Sequence, residues 1–322
     1  MKKNIAVITG GTSGEREISL KSVQTILNHI DTNKYNTFKV LINGKEWNVL
    51  ENEKEHAIDK NDFSFTSNNK KIKFDAVFII IHGTPGEDGK IQGYLDILGI
   101  PYTSCGVLVS ALTFSKLYCN RFLNQFGIRT ANSFLFKKGD AISSIENQLS
   151  FPCFVKPNNG GSSVGASRVN VRNDLNAAIE KAFSVDAEII IEEYLAGTEV
   201  TCGVVDFKGE IRALPITEIV PKTAFFDYEQ KYSANGADEI TPARLSSAIT
   251  KEIQETVVKV FKLLGCRNMS RIDFIIKDNV PFLLEVNTLP GLSPASILPK
   301  QAKVAGIDLT ELFTGFVDQL FV

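Results

Sequence analysis

Two short runs near the end of the chain carry acidic side chains in a pattern that suits a hard metal ion. Arg271-Ile272-Asp273-Phe274-Ile275-Ile276 and Phe282-Leu283-Leu284-Glu285-Val286-Asn287 are apolar except at Arg271, Asp273, Glu285 and Asn287, and Asp278-Asn279 between them marks a turn. Side chains alternate along a strand, so Arg271 shares a face with Asp273, and Glu285 with Asn287. A loop of odd length, with Lys277 opposite Pro281, sets Asp273 across from Glu285 and Arg271 across from Asn287. A two-residue loop instead puts the two pairs on opposite faces. Facing carboxylates destabilise a strand pair unless a cation lies between them. Two carboxylates and an amide suit Mg2+ rather than zinc, with substrate phosphates and water completing the octahedron. The competing explanation is a solvated polar face, which fits poorly with two strands that otherwise look buried.

Three glycine-rich loops offer places for a small ligand or a phosphate. The first, Gly10-Gly11-Thr12-Ser13-Gly14-Glu15-Arg16-Glu17, lies between an apolar strand at 4–9 and helical periodicity at Ile18, Val23, Ile26, Leu27 and Ile30. It lacks the GxGxxG spacing of a dinucleotide fingerprint, and a plain βα turn also explains it. Glu15 is then either a partner of the helix dipole or an anchor for a substrate ammonium. The second, His82-Gly83-Thr84-Pro85-Gly86-Glu87-Asp88-Gly89, closes a strand at Asp75–Ile81, at the sheet edge where open α/β folds bind ligands. His82 is either structural or functional there.

The third loop, Lys156-Pro157-Asn158-Asn159-Gly160-Gly161-Ser162-Ser163-Val164-Gly165, has the small residues that wrap phosphate oxygens. It lacks the GK[ST] ending of a Walker A loop, and a strand follows it rather than a helix. Ten residues is long for a hairpin turn, and Lys156 in an apolar strand calls for an anion. Asp227-Tyr228-Glu229-Gln230-Lys231-Tyr232, within an irregular stretch from Pro221 to Pro242, has the length of a lid. Leu289-Pro290-Gly291-Leu292-Ser293-Pro294-Ala295-Ser296 follows the acidic strand directly and brings free amides and a hydroxyl beside the proposed metal. Helix capping alone also accounts for Ser293 or Ser296.

The elements that position these residues are those of an α/β protein with an α+β C-terminal part. Strands at 4–9, Thr37–Ile42 and Asp75–Ile81, with helical patterns between and after them, predict a parallel Rossmann-like sheet over residues 1–104. Asn61–Lys73 is expected to be a surface connection, and Val107–Phe126 one helix ending at Gly127. A β-hairpin around the third loop and a helix at Asp174–Phe183 define a second lobe, 105–186. Strands at Glu188–Glu192, Glu199–Val205, Glu210–Ile219, Arg271–Ile276 and Phe282–Val286, with a helix at Ser246–Leu264, define a third, 187–322. With 322 residues, 35 Lys+Arg and 37 Asp+Glu, the formal charge is −2, and no long basic run offers a nucleic-acid footprint. The five cysteines form no CxxC pair, so reduced, mostly buried thiols are expected. The first apolar stretch ends at Gly10, too short for a secretory leader, and the longest, Ala76–Ile81, is far too short to span a membrane. A cytoplasmic location is expected.

In order, GGTSGEREIS, HGTPGEDG, KPNNGGSSVG, DYEQKY, RIDF and LLEVNTLPGLSPAS resemble the ATP-grasp superfamily, and within it the D-alanine–D-alanine ligase family, over nearly the whole chain. The resemblance implies a three-lobed architecture and ATP-dependent ligation of two D-alanines through a D-alanyl phosphate, releasing ADP and phosphate for peptidoglycan precursors. It implies that Glu15 holds the first D-alanine's ammonium with His82 nearby, and that Ser162 links Glu15 to the lid tyrosine, Tyr232. Lys116 and Lys156 become the ATP-phosphate lysines, Lys231 faces the γ-phosphate, and Ser163 belongs to the same nucleotide loop. Glu192 and Glu199 take the adenine and ribose sides, and Glu193 meets adenine through its backbone. Asp273, Glu285 and Asn287 become ligands of two Mg2+ ions, which Mn2+ can replace. Arg271 and the Gly291 amide stabilise the oxyanion, and Ser296 receives the second carboxylate. A homodimer is implied as well. A D-alanine–D-lactate or D-alanine–D-serine ligase is the near alternative, with Tyr232 favouring amide formation. A dinucleotide-binding dehydrogenase is the distant one, but no acidic residue follows the second strand at Leu41-Ile42-Asn43-Gly44.

Overall fold

Strand β1 (Lys3–Gly10) is buried from Ile5 onward, which is why its sequence is a continuous apolar run and not an alternation. Helix α1 (Arg16–His29) follows, and β2 (Tyr35–Asn43) returns parallel to β1. The chain then makes a meander, β3 (Glu46–Glu51), β4 (Lys54–Asp59), β5 (Ser64–Ser67) and β6 (Lys70–Lys73), before β7 (Ala76–Ile79) completes a sheet of order β6-β5-β4-β3-β2-β1-β7. The computed structural model describes residues 2–51, 54–142, 149–222 and 237–322.

The three strands expected to be parallel are so, in the order β2-β1-β7. Two other expectations are corrected. Among the described residues no helix lies between β2 and β7, where the sheet instead continues beyond β2 as antiparallel strands. Asn61–Lys73 is no surface connection, because Phe63 and Phe65 are fully buried against Phe74. The period-two pairs Phe63/Phe65 and Ile72/Phe74 flank Asn68-Asn69, both with positive φ, which is the chemistry of a two-residue hairpin turn. Lysines and asparagines at the remaining positions hide that signal.

After α2 (Lys90–Leu98), the single helix expected at Val107–Phe126 is two, α3 (Val107–Phe114) and α4 (Lys116–Asn124). Ser115 between them is extended, with φ −89° and ψ 103°, and bridges to Asn159 of the third glycine loop. Strands β8 (Ser133–Lys137), β9 (Cys153–Pro157), β10 (Ser167–Val169) and, beyond α5 (Leu175–Phe183), β11 (Glu188–Glu193) make an antiparallel sheet of order β10-β9-β11-β8. β11 is therefore hydrogen-bonded into the sheet that carries the glycine loop. Helix α5 covers one face, packing with Val155, Val169, Ile189 and Ile191. Phe154, Arg168 and Glu192, which pair across the strands, share the other face.

The last sheet has order β15-β14-β12-β16-β17, with β13 also on β12. Its strands are β12 (Thr198–Phe207), β13 (Glu210–Ala213), β14 (Thr217–Pro221), β15 (Ala237–Ile240), β16 (Met269–Lys277) and β17 (Val280–Asn287). The continuous strand expected at Glu210–Ile219 is thus interrupted between Ala213 and Thr217, and β15 lies in the stretch expected to be irregular. Helix α6 (Ser247–Leu264), capped by the Ser246 hydroxyl and ended by left-handed Gly265, covers one face through Ile253, Val257, Val260 and Phe261. Helix α7 (Ile297–Val304) is tied to the last sheet by Gln301, which bonds Gly203, Thr201 and Thr217, and α8 (Leu309–Asp318) packs back on the first sheet, with Phe313 and Phe316 in the same core as Ile5 and Val7. All five cysteines are buried and unpaired.

Candidate active site

The turn between β16 and β17 has two residues, Asp278-Asn279, both with positive φ, and Lys277 pairs with Val280. That register alone would separate Asp273 from Glu285. The ladder shifts between Phe274↔Leu283 and Asp273↔Glu285, leaving Leu284 as an extra residue on β17. The bulge flips every later side chain to the opposite face. Asp273 consequently faces Glu285, and Arg271 faces Asn287.

The Arg271 guanidinium grips Asp273 with both arms, Nε to Oδ1 at 3.0 Å and Nη2 to Oδ2 at 2.9 Å. Thr201 on β12 donates its hydroxyl to Asp273 Oδ1, and Asn287 Nδ2 donates to Oδ2 at 3.2 Å. Glu285 Oε2 lies 3.4 Å from Lys116 Nζ. The like charges of Asp273 and Glu285 are thus each balanced by a cationic side chain. The grouped oxygens of Asp273, Glu285 and Asn287 are all hard donors and fit a magnesium ion rather than a soft metal.

Lys116 is delivered by the break between α3 and α4. Its backbone N–H donates to the Asn158 carbonyl, and the next one, Leu117, donates to Asn158 Oδ1 at 3.1 Å. Asn158 is buried and also bonds Ser115 and Glu188, so it ties the glycine loop to the first turn of α4. The Lys116 ammonium also donates to the Gly160 carbonyl. On β9, Lys156 pairs with Glu192 of β11 at 2.7 Å, with both side chains nearly buried. Ser162 and Ser163 have φ of +56° and +58°, so the loop turns through the left-handed region there.

Glu15 lies against this loop. Ser162 Oγ donates to Glu15 Oε1 at 2.5 Å, although 147 positions separate the two. Gly161 permits the approach, since a Cβ there would stand 2.7 Å from the same oxygen. Ser13 receives the Glu15 N–H and donates to the His82 carbonyl at 2.8 Å, joining the first two glycine loops. His82 is buried, and burial holds its pKa below the ordinary value. Its Nδ1–H donates to the Leu289 carbonyl at 2.7 Å, which leaves Nε2 to accept from Ser22 Oγ at 3.3 Å. Both ring nitrogens are thereby engaged in fastening the 289–296 loop to α1, and Ser22 also receives the Leu292 N–H. In that loop Ser296 Oγ pairs with Ser293 Oγ at 2.8 Å, and a Cβ on Gly291 would meet it at 2.8 Å.

A cavity of about 1040 Å³ between the two antiparallel sheets brings together Glu15, Lys116, Lys156, Ser163, Glu192, Glu193, Glu199, Asp273 and Glu285. Glu193 lines it while its own carboxylate accepts the Asn132 N–H at 2.9 Å. Asn287 borders a narrow side pocket with Glu15, Glu87 and Glu285. His82, Gly291 and Ser296 line neither space. Lys231 and Tyr232 lie outside the described residues.

Sequence reasoning did not assign roles to Thr201, Asn158 or Glu87. Thr201 shares its strand face with Glu199, a period-two signal within reach. Asn158 and Glu87 sit inside motifs already singled out, but their partners are distant in sequence. Burial, and then the nearby charge of Glu15, push the Glu87 carboxyl up to about 8, against the Gly83 N–H that donates to it at 2.7 Å. Folded protein therefore keeps a proton that the unfolded chain releases near 4.5, so stability declines as pH rises from there through about 8. Glu87→Gln is expected to flatten that decline in thermal melts between pH 5 and pH 9. Parallel melting profiles for the two proteins would refute the raised pKa.

Two helix-backed sheets that close on a cavity edged with lysines and carboxylates define an ATP-grasp fold, as in the solved structures it matches. Family models described as the D-ala D-ala ligase N-terminus and C-terminus match residues 4–105 and 122–318. The chain belongs to the D-alanine–D-alanine ligase family. It is 49% identical over 319 residues to a D-alanine–D-alanine ligase of Flavobacterium johnsoniae, covering 98% of each chain. Among solved structures it resembles the VanG D-Ala:D-Ser ligase from Enterococcus faecalis, with a TM-score of 0.89, 33% identity and full coverage of both chains. It also resembles the Bacillus anthracis D-alanine–D-alanine ligase complexed with ATP, with a TM-score of 0.80 and 29% identity over 99% of this chain and 98% of that one.

Proposed function

We propose that this protein condenses two D-alanines to D-alanyl-D-alanine with ATP, releasing ADP and phosphate, as a step in peptidoglycan precursor synthesis. The observation that carries this reading is the Ser162–Glu15 hydrogen bond. It sets an ammonium-binding carboxylate at the edge of a phosphate loop, so an amino acid and the end of a triphosphate can meet in one cavity. Family membership and the named relatives support the substrates.

A carboxylate does not condense with an amine in water at a useful rate, so it must first be activated. Glu15 holds the ammonium of the first D-alanine and turns its carboxylate toward the nucleotide. Lys116 and Lys156, joined by Lys231, neutralise the transferring phosphoryl group, and D-alanyl phosphate results. The amine of the second D-alanine, its carboxylate received by Ser296, attacks the acyl carbon. Arg271 and the Gly291 amide steady the oxyanion until phosphate leaves. Lys231 and Tyr232 belong to the segment that excludes water from the acyl phosphate. Asp273, Glu285 and Asn287 are the residues that would hold Mg2+, or Mn2+ in its place, and two such ions would offset charge on the phosphates. Glu192, Glu193 and Glu199 serve the adenosine end, and Ser163 the phosphates.

The proposed lobes are those of the three sheets. The strand pairing of β11 supports a boundary after Glu193 rather than at 186/187. We also propose a homodimer and a cytoplasmic location; among the described residues no helix is long and apolar enough to cross a membrane. The likeness to a D-Ala:D-Ser ligase favours one second reading, in which D-serine is the second substrate. Nothing among the described residues of the site supports the dehydrogenase alternative, and Asn43-Gly44 at the end of β2 offers no carboxylate for a ribose.

Phosphate release from ATP is expected to rise on adding D-alanine and to stay at background with L-alanine. Background rates with D-alanine would end the proposal. Chromatography of products formed with D-alanine, D-serine and D-lactate together separates the two readings, with D-alanyl-D-alanine expected to dominate.

A further inference from the structure

We infer that Asn120 on α4 is a positioning residue for Glu285, because it anchors the bulge that turns Glu285 toward Asp273. The inference rests on the proposal that Asp273, Glu285 and Asn287 bind a divalent cation. A bulge leaves its extra residue without a ladder partner, and β17 is the edge strand of its sheet. An unpaired carbonyl buried at that edge is costly, so something outside the ladder must receive it. Asn120 Nδ2 donates to the Leu284 carbonyl at 3.3 Å. Asn120 is only 4% exposed, so water does not readily replace this bond. The preceding edge position is also held, with the Leu283 N–H donating to the Arg129 carbonyl at 2.8 Å.

Lys116 and Asn120 are four residues apart and lie on one face of α4. Lys116 meets the Glu285 carboxylate, and Asn120 meets the carbonyl of the residue before it. One helix face thus grips the bulged peptide and the side chain that it aims. Without the Asn120 amide, the extra residue can migrate along β17. Each one-residue migration past Glu285 sends that carboxylate to the α6 side of the sheet.

Asn120→Leu keeps the branched outline of the side chain, at a larger volume, and removes the donor. Mn2+ binding in the presence of ADP, read from the electron paramagnetic resonance of free Mn2+, is expected to weaken about tenfold in this variant, as when an outer support of a metal ligand is lost. Asn120→Ser, smaller and also unable to reach the carbonyl, takes its place where Asn120→Leu does not fold. Asp273→Asn is the parallel control. If Asp273→Asn weakens Mn2+ binding and the Asn120 variant does not, Asn120 is a packing residue only and the inference fails. Undiminished binding in Asp273→Asn would instead overturn the metal assignment on which the inference rests.

Discussion

Asp273→Asn is expected to lower ATP turnover with D-alanine by roughly 10²–10³-fold, the scale of removing one preorganised charge-stabilising group from a reacting centre. The fold should survive. Asparagine keeps the shape and one oxygen of the side chain, so Thr201 retains an acceptor while the two-armed contact with Arg271 is cut to one. Losing a charge opposite Glu285 also relieves repulsion across the strand pair, which offsets part of the lost ion pair. The melting temperature without ligands should therefore move by only a few degrees, taking a loss of about 1 kcal/mol. Raising Mg2+ should recover part of the rate, because the defect is in affinity for the ion. Wild-type phosphate release at ordinary Mg2+ would remove Asp273 from the reaction.

The facing carboxylates mark how far the sequence could be followed. Apolar runs interrupted at 271, 273, 285 and 287 are visible by inspection, as is the turn at Asp278-Asn279. Turn chemistry by itself argues for the wrong register, because two left-handed residues make a two-residue hairpin. Leu284 corrects it, yet an extra leucine within an apolar run carries no local mark of a bulge. The support for that bulge comes from Asn120, 164 positions away. Ser115 is a similar case: nothing in Phe114-Ser115-Lys116 forbids a continuous helix, and the break is explained by the bridge to Asn159 together with the bonds from Ser115, Lys116 and Leu117 to Asn158. The meander at Glu46–Lys73 was hidden for a different reason. Its alternation is carried by few large side chains, and charged and amide residues dominate the local composition.

Both antiparallel sheets solve one problem in the same way. A sheet needs an apolar face to be stable, and α5 and α6 each cover one. The opposite faces can then hold charge where they border the cavity, although α7 and α8 cover the Val205, Phe207 and Met269 end of the last sheet. Lys156 and Glu192 on one, Asp273 and Glu285 on the other, line the same cavity; the first two neutralise each other, and the two like charges are balanced by Arg271 and Lys116. Removing one partner of a nearly buried pair such as Lys156–Glu192 leaves the other uncompensated at a cost of about 3–5 kcal/mol. Substitutions there would mix stability with function. Lys116 offers a cleaner test: it is as buried as Lys156, but its partner Glu285 is more exposed than Glu192, and its charge is shared with a backbone carbonyl.

Lys116→Met should lower kcat by roughly 10²-fold or more with a smaller rise in the KM for ATP, since the ammonium is needed most when charge spreads over the transferring phosphoryl group. Methionine keeps the stem that packs at the start of α4. The bonds that define the helix break belong to the backbone of Lys116 and to Asn158, so they are untouched by the change. Glu285 loses the Lys116 ammonium, and in the absence of Mg2+ its repulsion with Asp273 should grow. The variant should consequently gain more thermal stability from Mg2+ with ADP than the wild type does, in a side-by-side melt. Loss of turnover together with that larger gain fits a lysine that acts on the phosphates and stands in for metal at rest. A kcat within threefold of wild type would leave Lys116 as an ion-pair partner of Glu285 and nothing more.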